Sequence, residues 1–385
     1  MSALLLDLTH TSHTRARTGI QRVVRALQRE LGDGACPVTF DPYLGRWRLL
    51  EDWERGNLAA ISGSTKRSVQ WPWTARWRGR WRRFAGTAAP SPEGAAGFIT
   101  AEIFSLAVGA ALPVVRPRIA VFHDAIALRY PELTPAGTVT RFPGYLRELL
   151  QFDGIAAVSE DSRAALVDYW SWLGVRKTPP VVAIPLGVDP MTSAGARLAS
   201  AGPPVVLSVG TLEGRKNHVA LLEACEQLWV RGVKFQLRVA GAVQAQTGAA
   251  AFARLKALQA AGRPLLYDGP LPDAAVAEAY ADCAFTVYPS RAEGFGLPVI
   301  ESLAHGRPCI CSAHGALGEL SRQGGCVPLE AVDASSLATA IARLLESPDE
   351  LARLAAAARA RTFRTWGEYA CELSTWMKTL EATGS

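Results

Sequence analysis

Strand-sized apolar runs alternate with helix-patterned stretches along this chain, and they do so in two series. The first series has runs at Leu4 to Leu8, Gly97 to Ile99, Ile119 to Phe122, Gly154 to Val158 and Val181 to Ile184. The second has Val205 to Val209, Gln236 to Ala240, Leu265 to Asp268, Phe285 to Tyr288 and Pro308 to Cys311. Runs apolar on both faces suit parallel strands, which need helical crossovers to join them. Helical spacing is plain in Ile20, Val23, Val24, Leu27 and Leu31, opened by Thr18-Gly19. Helices are expected near 217–231, 247–261, 273–282 and 297–305, and again from Leu337 to Leu380. The fold class is therefore α/β, with two doubly wound, Rossmann-like domains facing an interdomain cleft. Ligands in such sheets bind at the carboxyl ends of the strands.

The boundaries follow composition. Residues 1–190 form the first domain, with a Trp/Arg-rich insert at 42–96. Small and Gly/Pro-bearing residues at 191–203 read as the linker. Residues 204–364 form the second domain, and 365–385 a last helix that could pack back on the first. A chain of 385 residues is too long for one ordinary core.

The formal charge of +6 suits an anionic ligand or an acidic membrane surface and is too small to require nucleic acid. Seven dispersed cysteines, none in a Cys-x-x-Cys pair, argue for a reducing cytoplasm. Ala3 to Leu6 is too short for a signal peptide, and Asp7 interrupts it. No run is long enough to span a bilayer, so the chain is expected to be soluble or peripherally attached.

The chemistry concentrates in Arg291-Ala292-Glu293-Gly294-Phe295-Gly296-Leu297-Pro298-Val299-Ile300-Glu301. Two carboxylates bracket a glycine-rich turn that runs into an apolar helix. Glycines let a ligand approach the backbone, and a helix N-terminus favours an anion such as a diphosphate. Arg215 and Lys216 follow a strand and a tight Glu213-Gly214 turn, from which both can present cationic heads.

These phrases, with Ser208-Val209-Gly210-Thr211-Leu212-Glu213-Gly214-Arg215-Lys216-Asn217, Val287-Tyr288-Pro289-Ser290 and Gly306-Arg307-Pro308, resemble the family-4 retaining glycosyltransferases of GT-B fold. Thr18-Gly19-Ile20, His123-Asp124, Val158-Ser159-Glu160-Asp161-Ser162-Arg163 and Gly187-Val188-Asp189 match them more loosely. The resemblance implies catalytic roles for Lys216, Glu293, His123 and Asp124. It implies donor contacts from Gly19, Thr211, Arg215, Lys216, Gly294, Phe295, Gly296, Leu297 and Glu301. Lys216 would meet the diphosphate, Glu301 the ribose hydroxyls, and Glu293 and His123 the donor sugar. Arg22 and Asp124 would face the acceptor. Many relatives carry their arginine nearer Thr211, which separates Arg215 from the family pattern. Plainer readings stand beside these: a solvated basic turn for Arg215-Lys216, a helix start for Gly19, a capping Asp and packed His for His123-Asp124, and capping for Ser159 and Ser162. The resemblance implies charge neutralisation by side chains, with no metal or other cofactor.

Residues 46–84 hold six of the eleven tryptophans, among them Trp73, Trp77 and Trp81 at a spacing of four, interleaved with Arg76, Arg80 and Arg83. Three readings compete for this stripe: membrane docking, an amphipathic helix packed on the first domain, and nucleic-acid binding.

Taken together, the expectation is an enzyme, a hexosyltransferase moving mannose, or else rhamnose or glucose, from a nucleotide-diphosphate sugar. The acceptor would be a growing or lipid-linked polysaccharide, and the enzyme cytoplasmic, peripheral on the inner face of the cytoplasmic membrane. GDP-mannose leads among donors; nucleic acid is not an expected partner. The alternatives are an epimerase or phosphorylase of the same fold, or a catalytically inactive scaffold. Donor base, acceptor, linkage and oligomeric state are not legible.

Overall fold

The first apolar run forms strand β1 (Leu4–Asp7) in the middle of a seven-stranded sheet. The computed structural model describes residues 3–16, 18–59, 71–85, 94–189 and 202–381. β2 (Ala35–Asp41) pairs parallel with one edge of β1, and β3 (Arg46–Leu49) adds antiparallel to β2. On the other side lie β4 (Phe98–Thr100), β5 (Arg118–Phe122), β6 (Gly154–Ala157) and β7 (Val181–Ala183), all parallel. The order is β3-β2-β1-β4-β5-β6-β7. Leu6, Ile99, Val121 and Ile155 are fully buried, which is why their runs read as apolar throughout.

β2 and β3 are absent from the sequence expectation, and each has a physical reason. Pro37 argues against a strand, yet it lies one residue before the ladder to β3 begins at Val38. Arg48 looks like a surface residue but is buried. Its guanidinium is held by Asp41 at 2.9 Å and by Glu54 at 2.7 Å. A buried arginine is tolerable only with such pairing.

The second sheet is parallel throughout. Its strands are β8 (Val205–Val209), β9 (Gln236–Ala240), β10 (Leu265–Gly269), β11 (Phe285–Tyr288), β12 (Cys309–Ser312) and β13 (Cys326–Leu329). They run in the order β10-β9-β8-β11-β12-β13. Val206, Leu237, Phe285 and Ile310 form its core with Leu221, Leu228, Leu337 and Ile341 from the covering helices. β13 carries Pro328 and was not expected; it is an edge strand, where proline costs no central hydrogen bond.

The chain divides into two compact units. One is Met1–Asp124 with Arg141–Gly187 and Arg364–Ser385; the other is Ala125–Thr140 with Val188–Phe363. The last helix, Trp366–Glu381, thus groups with the first sheet and packs on helix Gly19–Leu31. The expected linker lies outside the described residues up to 201, as do residues 60–70 and 86–93 of the insert. Among the described residues no helix is long and apolar enough to cross a membrane.

Candidate active site

In the second unit, β8 delivers the chain through Gly210 and Thr211 to a 3-10 turn at Gly214–Lys216. β11 delivers it through Pro289 and Ser290 to Glu293. β8 and β11 are neighbours, so the two loops leave adjacent carboxyl ends of the sheet. The main-chain N–H of Arg291 donates to the carbonyl of Arg215 at 2.8 Å, which staples one loop to the other.

Lys216 and Glu293 meet there, Nζ to Oε1, at 2.8 Å, both side chains more than nine-tenths buried. Arg215 binds the second oxygen of Glu293 through Nη1 at 2.6 Å and Glu213 through Nη2 at 2.7 Å. It also donates to the carbonyl of Ala292 at 3.1 Å. Lys216 donates in addition to the Tyr288 hydroxyl and sits 4.5 Å from the centre of that ring. Ser290 Oγ lies 2.5 Å from Glu293 Oε1. Two cations therefore face two carboxylates in a largely water-free setting.

The electrostatics follow from that arrangement. Burial pushes the Glu293 pKa up, but the charges of Arg215 and Lys216 outweigh it and hold the carboxylate at about 2. Burial lowers the Lys216 pKa, and Glu293 opposes that shift. Burial, then the Glu293 charge, keeps the Tyr288 phenol well above its ordinary value and neutral.

The glycine-rich turn then enters helix Leu297–Ala304. Gly296 has φ of +106°, and a Cβ there would stand 2.6 Å from Leu317 Cδ2, so only glycine fits. Phe295 and Leu297 bury their side chains, leaving their backbone as the part a ligand can meet. Gly294 and Thr211 are half-buried. Glu301 is half-buried on the helix, with the Tyr280 hydroxyl 3.2 Å from its Oε2.

In the first unit, His123 follows β5 and is buried, its Nε2 2.7 Å from the carbonyl of Ala101. Nε2 must carry the proton to make that bond, so only the Nδ1 side can engage a ligand. Burial lowers its pKa and keeps the ring neutral. Asp124, half-buried, follows it. Ser162 Oγ donates to the His123 carbonyl at 2.9 Å, and Ser159 Oγ accepts from the Ser162 N–H at 3.1 Å, which is a helix cap. Gly19 begins its helix, and nothing lies within 4 Å of a Cβ built on it. Arg22, one turn on, is half-buried.

Three charged residues were given no role from the sequence, Asp7 and Glu102 in the first unit and Glu213 in the second. Asp7 ends β1 fully buried, accepting from Thr9 Oγ1 at 2.6 Å and Thr100 Oγ1 at 2.8 Å. Glu102, just past β4, accepts the main-chain N–H groups of His10 and Thr11, each at 2.6 Å. Burial, then the neighbouring Asp7, raises its pKa to about 8. Glu213 is the third. The one sequence signal for Asp7 was that it interrupts an apolar run.

Helix Trp73–Ala85 lies in the first unit with Ala75 and Gly79 buried. Trp73, Trp77 and Trp81 are exposed. The stripe therefore does not pack on its own domain; the small-residue face does. The expected helix packed on the first domain is thus present through its small-residue face, and the tryptophan stripe is not part of that packing.

Residues 194–361 match the family described as Glycosyl transferases group 1. That stretch, under half of the chain, is similar to the group 1 glycosyltransferases and holds Lys216, Glu293 and Glu301. Over 333 residues the chain is 28% identical to the serotype-specific mannosyltransferase WbdA of Escherichia coli, covering 80% of this chain and 38% of WbdA. It thus spans well under half of that relative's length. Among solved structures it is similar to sucrose-phosphate synthase of Thermosynechococcus elongatus, with TM-score 0.69, 21% identity and full coverage of both chains. It is also similar to Anabaena HepE in complex with UDP and glucose, with TM-score 0.70, 16% identity and coverage of 98% and 100%. These likenesses to solved structures show a GT-B fold, two Rossmann-like units.

Proposed function

We propose that this chain is a retaining hexosyltransferase that moves mannose from GDP-mannose to a growing or lipid-linked polysaccharide. The observation that carries the reading is the buried Lys216–Glu293–Arg215 cluster beside the N-terminus of helix Leu297–Ala304. The donor sugar is argued from the likeness to WbdA, a mannosyltransferase by name.

The chemistry asks for charge at one place. The bond from C1 of the sugar to the diphosphate oxygen breaks, and the bond from the acceptor oxygen to C1 forms on the same face. The acceptor's proton passes to the leaving phosphate oxygen, so no protein nucleophile is needed. Lys216 offsets the negative charge that develops on the diphosphate, with the helix N-terminus behind it. Glu293 takes hydrogen bonds from the sugar hydroxyls, and Glu301 takes those of the ribose. In the first unit, the resemblance gives His123, with its Nδ1 side available, a donor-sugar role and gives Arg22 and Asp124 acceptor roles. No metal is required for these roles. The reaction takes place at the inner face of the cytoplasmic membrane, where a lipid-linked acceptor is reached.

Radiolabelled GDP-mannose, UDP-glucose and dTDP-rhamnose, each offered with lipid-linked glycan, test the reading. Label in the glycan with GDP-mannose, and retention of the anomeric configuration by NMR, is the expected result. Transfer from another donor alone would replace the sugar, and transfer with inversion would remove the mechanism.

A further inference from the structure

Helix Trp73–Ala85 carries five arginines, at 76, 78, 80, 82 and 83, and no acidic residue. Its side chains divide cleanly by direction. At about 100° per residue, Trp73, Phe84, Trp77 and Trp81 fall within an arc of about 80°. Ala75 and Gly79 lie on the opposite side, about 180° from the arc's centre. That opposite side is the anchored one. A Cβ on Gly79 would stand 2.4 Å from the Tyr43 ring, so the helix backbone rests directly on Tyr43. Trp71, just before the helix, packs on His13 with centroids 4.7 Å apart and on Tyr43 at 5.5 Å. Glu51 binds Arg78 at 2.8 Å and Arg82 at 2.6 Å, fixing rotation about the helix axis.

The outward arc is strongly exposed: 72% for Trp73, 64% for Trp77, 63% for Trp81 and 92% for Phe84. Arg76, Arg80 and Arg83 are exposed along one flank of it. Four large aromatic side chains held away from their own domain need a partner that is apolar in the middle and anionic at its rim. A bilayer interface has both properties. Indole rings sit at the headgroup level, arginine pairs with lipid phosphate, and a helix of this kind lies in the plane and does not span.

We propose that helix Trp73–Ala85 is an in-plane anchor for an anionic phospholipid surface, with Trp73, Trp77, Trp81 and Phe84 inserted and Arg76, Arg80 and Arg83 on headgroups. A single-stranded nucleic acid would also stack bases on such rings, so it is one of the outcomes that the test separates. The proposal deepens the membrane part of the functional reading but stands on the helix, and its test reads lipid binding, not transfer.

Flotation of the full chain with vesicles tests it. The chain is expected to float with mixed phosphatidylglycerol–phosphatidylcholine vesicles, far less with phosphatidylcholine alone, and less in high salt. Changing Trp73→Ser, Trp77→Ser and Trp81→Ser together should abolish flotation. Changing Arg76→Gln, Arg80→Gln and Arg83→Gln together should weaken partition about a hundredfold. Both variants should melt with the wild type, because the altered side chains are exposed. Wild-type tryptophan fluorescence should be quenched by lipid brominated near the headgroup, a measurement that needs no variant. Absence of flotation, flotation of the serine variant like wild type, absence of quenching, or retention on RNA or DNA without flotation would each overturn the proposal.

Discussion

Lys216 and Glu293 form a buried ion pair, Nζ to Oε1 at 2.8 Å, between the turns that follow two neighbouring strands. The cation proposed for the diphosphate is thus paired with the carboxylate proposed for the sugar. Donor binding must therefore redistribute this pair, and substitutions at its two ends should behave differently.

Glu293→Gln removes the competitor for Lys216 and Arg215. A nucleoside diphosphate, which has no sugar to lose contact with, should bind at least as tightly as to wild type in calorimetry. Turnover with the nucleotide sugar should fall by about two orders of magnitude, the usual cost of one lost polar contact to the reacting group. A parallel fall in nucleoside diphosphate affinity would place Glu293 among the phosphate-side residues instead.

Arg215 spends its guanidinium on Glu293, Glu213 and the carbonyl of Ala292. We propose that it positions Glu293. Arg215→Lys cannot reproduce that fork. The variant should lose kcat more than tenfold while the Kd for nucleoside diphosphate changes by less than about threefold, on the scale where a tenfold change is 1.4 kcal/mol. An equal loss of both would make Arg215 a direct diphosphate ligand.

Two glycines should separate fold from function. Gly296→Ala places a Cβ 2.6 Å from Leu317 Cδ2 at a φ of +106°, and should cost about 1–3 kcal/mol of stability in denaturant titration. Gly19→Ala meets nothing within 4 Å and should keep or slightly raise stability, by up to about 1 kcal/mol. If Gly19 is there so that a ligand can approach, Gly19→Ala should still lower transfer activity. Full activity in that variant would reduce Gly19 to a helix start.

Glu102 supplies a pH signature. Its folded pKa, pushed up to about 8 by burial and then by Asp7, lies above the unfolded carboxylate range. The folded state therefore favours the protonated acid. That contribution is fully present below the unfolded pKa and is lost as pH rises through about 8. The melting temperature of the wild type should fall across that window, and the fall should flatten in Glu102→Gln. An identical slope in the two proteins would remove Glu102 as its source.

The parallel strands were legible because burial on both faces leaves an uninterrupted apolar run, as in Val205–Val209. Their covering helices were legible for the complementary reason, one apolar face at helical spacing. β2, β3 and β13 were not, because Pro37, Arg48 and Pro328 are acceptable only through where the sheet places them. Pro37 precedes a ladder, Pro328 sits on an edge, and Arg48 is neutralised by Asp41 and Glu54. The candidate site divides in the same way. Lys216, Glu293 and Glu301 sit in short local phrases that carry their chemistry with them. Tyr288, quoted within a phrase but given no role, and Glu102 owe theirs to contacts across the sheet. Likewise Trp73, Trp77 and Trp81 were visible as a stripe, but only the packing of Gly79 on Tyr43 shows which way it points.

Calorimetric titration of GDP, UDP and dTDP into the full chain and into Lys216→Met tests the central claim most directly. The account predicts that one of the three binds the wild type and that its affinity falls by two orders of magnitude or more, about 3 kcal/mol, in the variant. Binding of none, or binding that Lys216→Met leaves unchanged, would contradict it.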